Sequence, residues 1–505
     1  MLRNLLASCL MSCAFAQDYY SVVLDGAQEV PPVASTARGW GVVRFDTATS
    51  TVRIFVYHEG LTGAPAAAHL HQAPPGANGG IVVPLVAASP DTFTGTAVLP
   101  AAVAAALASS GTYVNVHTAA FGGGEIRGQV VPSISTRFTG VLSGAQEVPP
   151  NASAATGSVI AFLHEPDNRL VYNVASTGLV GVAAAHVHQA AAGVNGPVLF
   201  ALNGSAGNYC GVSNRLTAAQ VAAIKANGSY VNIHTGALPG GELRAQLIKD
   251  LGDHFVARLD GMQEVPPVPS AGLGGGNVVV SPTGIVTVTG GFGGLTSAPG
   301  AAHVHVAPIG TNGPVVFPLT LSGANFSGTF AATAAQLANL RTGNWYINVH
   351  TPAFPGGEIR GQLTPASLPA PFGGGCVGSN GVRPQSGARG FPSIGSPMNI
   401  DLYGALPGGI ELFLFGSSRD AAGPVLLPVE LPTLGLAAPG CYLLVEPATI
   451  LVAFADAFGC AELPLTIPFN PALRGLQFYS QWVSLDPAAN LGGYVTSSAL
   501  TLTIQ

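Results

Sequence analysis

The sequence predicts an all-β protein: three tandem Greek-key-like β-sandwich or barrel domains, followed by a different C-terminal β-sandwich. Three observations predict it. Charged residues are only 8% of the 505 residues, against a typical ~25%, while 67 Gly and 40 Pro supply turns and break helices. Apolar and polar residues alternate over short runs, the period of half-buried strands. A block of four motifs occurs three times at a spacing of about 117 residues, from Gly26 to Gly144 to Gly261, which is the length of a whole domain. The 48% hydrophobic content argues against disorder. With a net charge of −6 and only Lys225 and Lys249 as lysines, no basic stripe is available to neutralise phosphates, so nucleic acid is not expected as a partner.

In chain order, residues 1–16 read as a secretory signal. Arg3 precedes a short apolar run that closes with Ala14-Phe15-Ala16. Leu6-Ala7-Ser8-Cys9 has the form of a lipoprotein signal, but only eight residues precede Cys9. No later run of about 18 apolar residues occurs, so no transmembrane segment is expected in the mature chain. Localisation is expected to be extracellular or in the cell envelope.

The three repeats are placed at 17–132, 133–249 and 250–364. The first motif is Gly26-Ala-Gln-Glu-Val-Pro-Pro32, repeated from Gly144 and, with Met262 in place of Ala, from Gly261. Next come His69-Leu-His71, His186-Val-His188 and His303-Val-His305, each followed by an Asn-Gly turn at Asn78, Asn195 or Asn312. The third is Tyr113-Val-Asn-Val-His-Thr118, with copies from Tyr230 and Tyr346; the fourth is Gly124-Glu-Ile-Arg-Gly-Gln129, with copies from Gly241 and Gly357. Each repeat has one helix candidate, at 100–108, 217–226 and 333–340. Residues 365–375 read as a linker by composition, and 376–505 as the second kind of β domain, with Ile410, Leu412 and Leu414 alternating. In an oxidising compartment the mature cysteines allow three pairings. Cys376–Cys441 is favoured because both flank strands of the terminal domain, leaving Cys210 and Cys460 free or paired across domains.

Nine of the twelve histidines fall in the repeated motifs: His69, His71 and His117; His186, His188 and His234; His303, His305 and His350. Residues i and i+2 of a strand share a face, so each His-x-His pair aims two imidazoles at one place, and a third from a neighbouring strand completes a set suited to zinc or copper. Glu125 and Arg127, Glu242 and Arg244, and Glu358 and Arg360 are expected behind the ligands, orienting them. The same residues also suit a hydrogen-bonded polar network that needs no metal. His58 stands outside the pattern and reads as a surface position. Gln28-Glu29 before Pro-Pro reads as a turn cap. No Gly-x-Ser-x-Gly, P-loop or Cys-x-x-Cys occurs, so no catalytic residue is assigned.

Together the four motifs resemble the CHRD domain, named from chordin and also found in bacterial secreted proteins, over about residues 17–364. The resemblance implies an extracellular β domain. Chordin's growth-factor antagonism belongs to separate cysteine-rich modules, which this chain lacks. The segment around Cys376 and Cys441 resembles a C-terminal module of secreted planctomycete-type proteins. The expected function is a secreted, non-catalytic binding or scaffolding protein of the cell exterior, whose partner is an extracellular protein or envelope component. The alternative is a metal-binding protein or metalloenzyme with one three-histidine zinc or copper site per repeat.

Overall fold

A computed structural model describes residues 17–133, 135–250, 253–281, 284–366, 368–394, 397–468 and 470–505. The signal expected over residues 1–16 lies outside the described residues. The chain is all-β, with a closed ring of strands in the first and third repeats, an open sheet in the second, and a C-terminal domain built on two main sheets.

The first repeat contains β1 (Gln17–Asp25), β2 (Arg38–Asp46), β3 (Thr51–Glu59), β4 (Pro65–Gln72), β5 (Gly80–Ser89), β6 (Thr92–Val98), helix α1 (Ala101–Ala108), β7 (Thr112–Thr118) and β8 (Ile126–Pro132). The strands close a barrel in the order β1-β2-β3-β6-β5-β4-β7-β8, with every pair antiparallel. Alternation along each strand sorts its side chains. On β3, Val52, Ile54 and Val56 are fully buried, with half-exposed neighbours between them. Helix α1 is short and alanine-rich, and it anchors to the barrel through Val103 and the fully buried Leu107.

The other repeats follow the same plan. In the third, Leu273–Val280 pairs with both His254–Asp260 and Ile285–Gly293, closing the ring. In the second, Asn208–Val212 pairs with Arg169–Thr177, while Val198–Ala201 pairs with Val182–His188. The two helices there carry capping boxes, Thr217 with Gln220 and Thr333 with Gln336, which satisfy amide donors at each helix start.

In the C-terminal domain, a five-stranded sheet of Ala370–Phe372, Tyr494–Thr503, Gln477–Leu485, Ile410–Gly416 and Thr449–Phe454 accompanies a three-stranded sheet of Gln385–Arg389, Pro397–Tyr403 and Ala461–Thr466. The stretch expected to be a linker over 365–375 thus contributes the edge strand Ala370–Phe372, with Phe372 buried. Both faces of the larger sheet are covered. Phe413 and Trp482 enter the core shared with Ile400 and Leu402, whereas Leu412 and Leu414 face a second core that includes Tyr19, Trp40 and Val42 of the first repeat. The indole N–H of Trp40 donates to the Gly440 carbonyl at 2.9 Å, and Arg44 pairs with Asp420 at 2.8 Å.

Cys376 bonds Cys441 inside that second core, and Cys210 of the second repeat bonds Cys460 of the C-terminal domain. The two members of the latter pair lie 250 residues apart, so the bond fixes two folding units that the chain alone tethers loosely. A non-reducing peptide map is expected to recover Cys210 joined to Cys460 and Cys376 joined to Cys441. Replacing Cys210 and Cys460 together by Ser is expected to lower stability against denaturant by about 2–4 kcal/mol while leaving the β circular-dichroism signal in place. A map with any other pairing would contradict the arrangement.

Candidate metal centre

Strand alternation builds the site. Ala68 and Leu70 of β4 enter the barrel core, so His69 and His71 lie on its outer face; Val114 and Val116 of β7 are likewise internal and turn Tyr113, Asn115 and His117 outward. β4 and β7 pair antiparallel, with His69 opposite Asn115, His71 opposite Tyr113 and Ala67 opposite His117. Two adjacent strands therefore bring three imidazoles together. Ring centroids are 5.6 Å apart for His69 and His71, 5.1 Å for His69 and His117, and 6.3 Å for His71 and His117. The corresponding separations are 5.7, 5.2 and 6.1 Å for His186, His188 and His234, and 5.7, 5.0 and 5.9 Å for His303, His305 and His350. In every cluster one nitrogen per ring lies within 4.8 Å of the others.

Hydrogen bonds set the tautomers. His71 Nδ1 is 3.0 Å from the Gly79 carbonyl, and His117 Nδ1 is 3.1 Å from that of Gly122. A carbonyl only accepts, so each Nδ1 carries the proton and each Nε2 presents a lone pair. The second and third repeats do the same: His188 donates to Gly196, His234 to Pro239, His305 to Gly313 and His350 to Pro355, at 2.9 to 3.0 Å. What remains in those repeats is a trio of buried ring nitrogens without a hydrogen-bond partner: His186 Nδ1, His188 Nε2 and His234 Nε2, then His303 Nδ1, His305 Nε2 and His350 Nε2. In the first repeat His71 Nε2 is unpartnered, while His69 Nδ1 and His117 Nε2 face each other at 3.2 Å. That separation is close to the edge of about 3.3 Å expected between nitrogens bound tetrahedrally to one zinc ion. Burial holds His69, His71 and His117 below the ordinary histidine range, and does so for His186, His188, His303, His305 and His350, which favours the neutral ligand form.

The residues expected behind the ligands take other places. Glu125 is fully buried, but its carboxylate accepts from Ser35, Thr62 and Thr118, pinning the end of β7 to two loops. Glu242 is held by Ser153 and Thr235, and Glu358 by Ser270, Thr296 and Thr351. Arg127 acts through Tyr113: its guanidinium lies 3.4 Å from the centre of that ring, whose other neighbour is His71, stacked at 4.8 Å with 7° between planes. Arg244 on Tyr230 with His188, and Arg360 on Tyr346 with His305, repeat the arrangement. His58 is a correction to the surface reading. It is 3% exposed and continues the inward phase of Val52, Ile54 and Val56, with its ring 5.6 Å from that of Phe93.

Glu29 is the residue whose place the sequence reading missed. Gln28 does tie the turn, donating to the Val23 carbonyl at 2.7 Å, but Glu29 folds inward, 5% exposed, and accepts from Asn115 Nδ2 at 3.2 Å. Glu147 with Asn232 and Glu264 with Asn348 match it. The pair packs flat on Gly124, where any Cβ would collide with Asn115 Oδ1 and Glu29 Oε1 and where φ is +128°. A signal was available in the sequence: a turn cap does not require glutamate at the same place three times. Burial pushes Glu29, Glu147 and Glu264 up to about 7, despite the opposing charge of Arg127, Arg244 or Arg360.

A carboxyl raised from 4.5 to about 7 stabilises the fold fully below the unfolded value and loses that contribution as pH rises through about 7. Glutamine at 29, 147 and 264 keeps the acceptor and adds a donor beside Asn115 Oδ1. Denaturant melts are expected to show the triple Gln variant equal to the parent near pH 4 and more stable at pH 8, by an order of 1–3 kcal/mol per site. A difference that does not change with pH would refute the buried-carboxyl assignment.

No helix among the described residues is long and apolar enough to cross a membrane. No curated protein matches the chain. Among solved structures, an α-2-macroglobulin from Escherichia coli is similar at 11% identity over 90% of this chain and 30% of its own, with a TM-score of 0.16. A bacterial ice-binding adhesin involved in host cell surface retention is similar at 12% identity over 67% of this chain and 91% of its own, with a TM-score of 0.15. This chain therefore spans less than a third of the length of the macroglobulin it matches. The CHRD domain model matches residues 20–130, 138–247 and 255–363, which coincide with the three β repeats and contain all nine clustered histidines. The chain belongs to the CHRD domain family, in three tandem copies.

Proposed function

We propose that the protein is a secreted binding protein of the cell exterior in which each CHRD domain holds one divalent transition-metal ion, zinc or copper, on its three histidines. The observation that carries this reading is the convergence of three imidazoles in every repeat, with three ring nitrogens lacking a donor among the described residues in each of the second and third repeats and His71 Nε2 lacking one in the first. Leaving such buried acceptors unsatisfied costs about 1–3 kcal/mol each, and a cation bound by all three removes that cost. Three imidazoles without thiolate suit zinc, copper or nickel, and the affinity order places copper(II) highest. The backbone carbonyls behind His71 and His117 fix ring orientation as the outer hydrogen bonds of metal sites do.

His69 and His117 are only half-buried, so a bound ion would keep a position reachable from outside. A donor group on an extracellular protein or envelope component could fill it, and three equivalent sites on one chain would add avidity to a weak single contact. The two disulfides fit an oxidising compartment.

Elemental analysis of tag-free protein, loaded with Zn²⁺ or Cu²⁺ and desalted, is expected to give about three ions per chain. The His69→Ala, His71→Ala variant is expected to retain about two. Substoichiometric metal that the variant leaves unchanged would overturn the reading.

A further inference from the structure

Where the first two repeats meet the C-terminal domain, a cavity of about 200 Å³ is lined by Arg38, Arg169, Arg215 and Arg383, with Asp25 and Asp167 the acidic groups on its wall. A chain with a net charge of −6 and 18 basic residues in all has placed four of them around one small space. The guanidiniums come from three folding units: Arg38 from the first repeat, Arg169 and Arg215 from the second, and Arg383 from the C-terminal domain. Three of the four are paired with a carboxylate and one is not. Arg215 pairs with Asp25 at 2.5 Å and Arg383 with Asp167 at 3.1 Å, while Arg169 donates to the uncharged Ser213 carbonyl at 2.7 Å. Arg38 is paired with Glu59, which is not on the cavity wall. With Glu59 counted, the four arginines face three carboxylates, a formal excess of +1 that falls on Arg169. Arg383 is 7% exposed and lies 5.5 Å from the centre of the Trp40 ring, so part of this charge stands in poorly hydrated surroundings. Burial, with repulsion from Arg215, holds both Arg383 and Arg169 below the ordinary arginine range.

Planar guanidinium forks match the oxygens of carboxylates, sulfates and phosphates, and four of them around one space, with one lacking a carboxylate partner, suit a compact oxyanion. We propose that this cavity between domains binds a tetrahedral oxyanion, sulfate or phosphate, either as the free ion or as the terminal ester of an envelope polymer. The site uses none of the clustered histidines and stands independently of metal binding. An anion there would also tie together the three units that supply the arginines.

Equilibrium dialysis of the metal-free protein against radiolabelled sulfate or phosphate, at constant ionic strength in chloride, is expected to show one saturable site per chain. Arg169→Gln combined with Arg215→Gln is expected to weaken binding by about tenfold or more, whereas Arg341→Gln, an exposed ion-pair member on the third repeat, leaves it unchanged. Should the double variant not fold, Arg215→Gln alone, at a side chain 45% exposed, is expected to weaken binding at least about threefold. Competition with glucose 6-sulfate and glucose 6-phosphate separates the sources: displacement at the free-ion concentration assigns a polymer ester, and failure to displace assigns the free ion. Absence of saturable oxyanion binding by the parent protein, or full retention by a folded Arg169→Gln, Arg215→Gln chain, would overturn the proposal.

Discussion

Each repeat is organised around one buried arginine. Arg127, Arg244 and Arg360 are each 1% exposed, and a guanidinium removed from water in that way must find acceptors for its donors. Arg127 finds them in Asn78 Oδ1 at 3.0 Å and the Ala77 carbonyl at 2.8 Å, and it rests on the face of Tyr113. Asn78 in turn donates to the carbonyl of Val30 at 2.7 Å. One cation therefore joins all four repeated motifs: the loop of Val30, the turn after the His-x-His strand, the strand of Tyr113 and its own strand. Since Tyr113 also stacks on His71, the contacts that hold the fold together also orient a histidine of the cluster.

This explains why positions that look unrelated along the chain recur together. A smaller or uncharged residue at 127 would leave the Asn78 turn without its donor and Tyr113 with one face open. Lysine would keep the charge but not the planar fork that reaches two acceptors while lying flat on a ring. The C-terminal domain acts at a larger scale. Its five-stranded sheet would expose Leu412 and Leu414, and the first barrel would expose Tyr19 and Trp40, unless each covered the other. Burying such side chains is worth about 1.5–3 kcal/mol apiece, which makes the docking of the first repeat a hydrophobic interface rather than a tether.

Much of this was legible in the sequence, because a period of two reports directly which side chains share a face. The repeats follow from the recurrence of four motifs, and the strands and the outward histidines follow from alternation. His58 could have been placed by the same rule, since it continues Val52, Ile54 and Val56 on β3; its polarity argued for the surface while its phase argued for the core, and the phase prevailed. What alternation does not report is which loop covers an outer face. Glu29 reaches Asn115 across 86 positions of sequence, and Asn78 reaches Arg127 across 49. For the same reason the sequence placed Arg127 on the right strand, with Glu125 falling one residue before it, but could not say that Tyr113 stands between Arg127 and His71, or that Ser35 and Thr62 claim Glu125. Cys210 and Cys460 lie in different folding units, so only the docked arrangement selects their bond.

The charges around the cluster also bear on how an ion would bind. Before binding, the outer face of the first repeat holds three imidazoles whose burial favours the neutral form, the cation of Arg127 and a Glu29 carboxyl that burial pushes up to about 7. Desolvation keeps the proton on Glu29, and Arg127 opposes it. On the proposed reading, a dication arriving at the imidazoles adds a second positive influence of the same sign as Arg127, and so favours the ionised carboxylate further. Linkage then requires the converse: ionising Glu29 strengthens the site for the dication by the same factor. Protons compete with the ion twice, at the imidazole nitrogens and at a carboxyl that touches Asn115 rather than the ion itself. On that reading the buried glutamate makes occupancy of each repeat steeper in pH than three histidines alone would give, over the interval that runs from below the ordinary histidine range up to about 7.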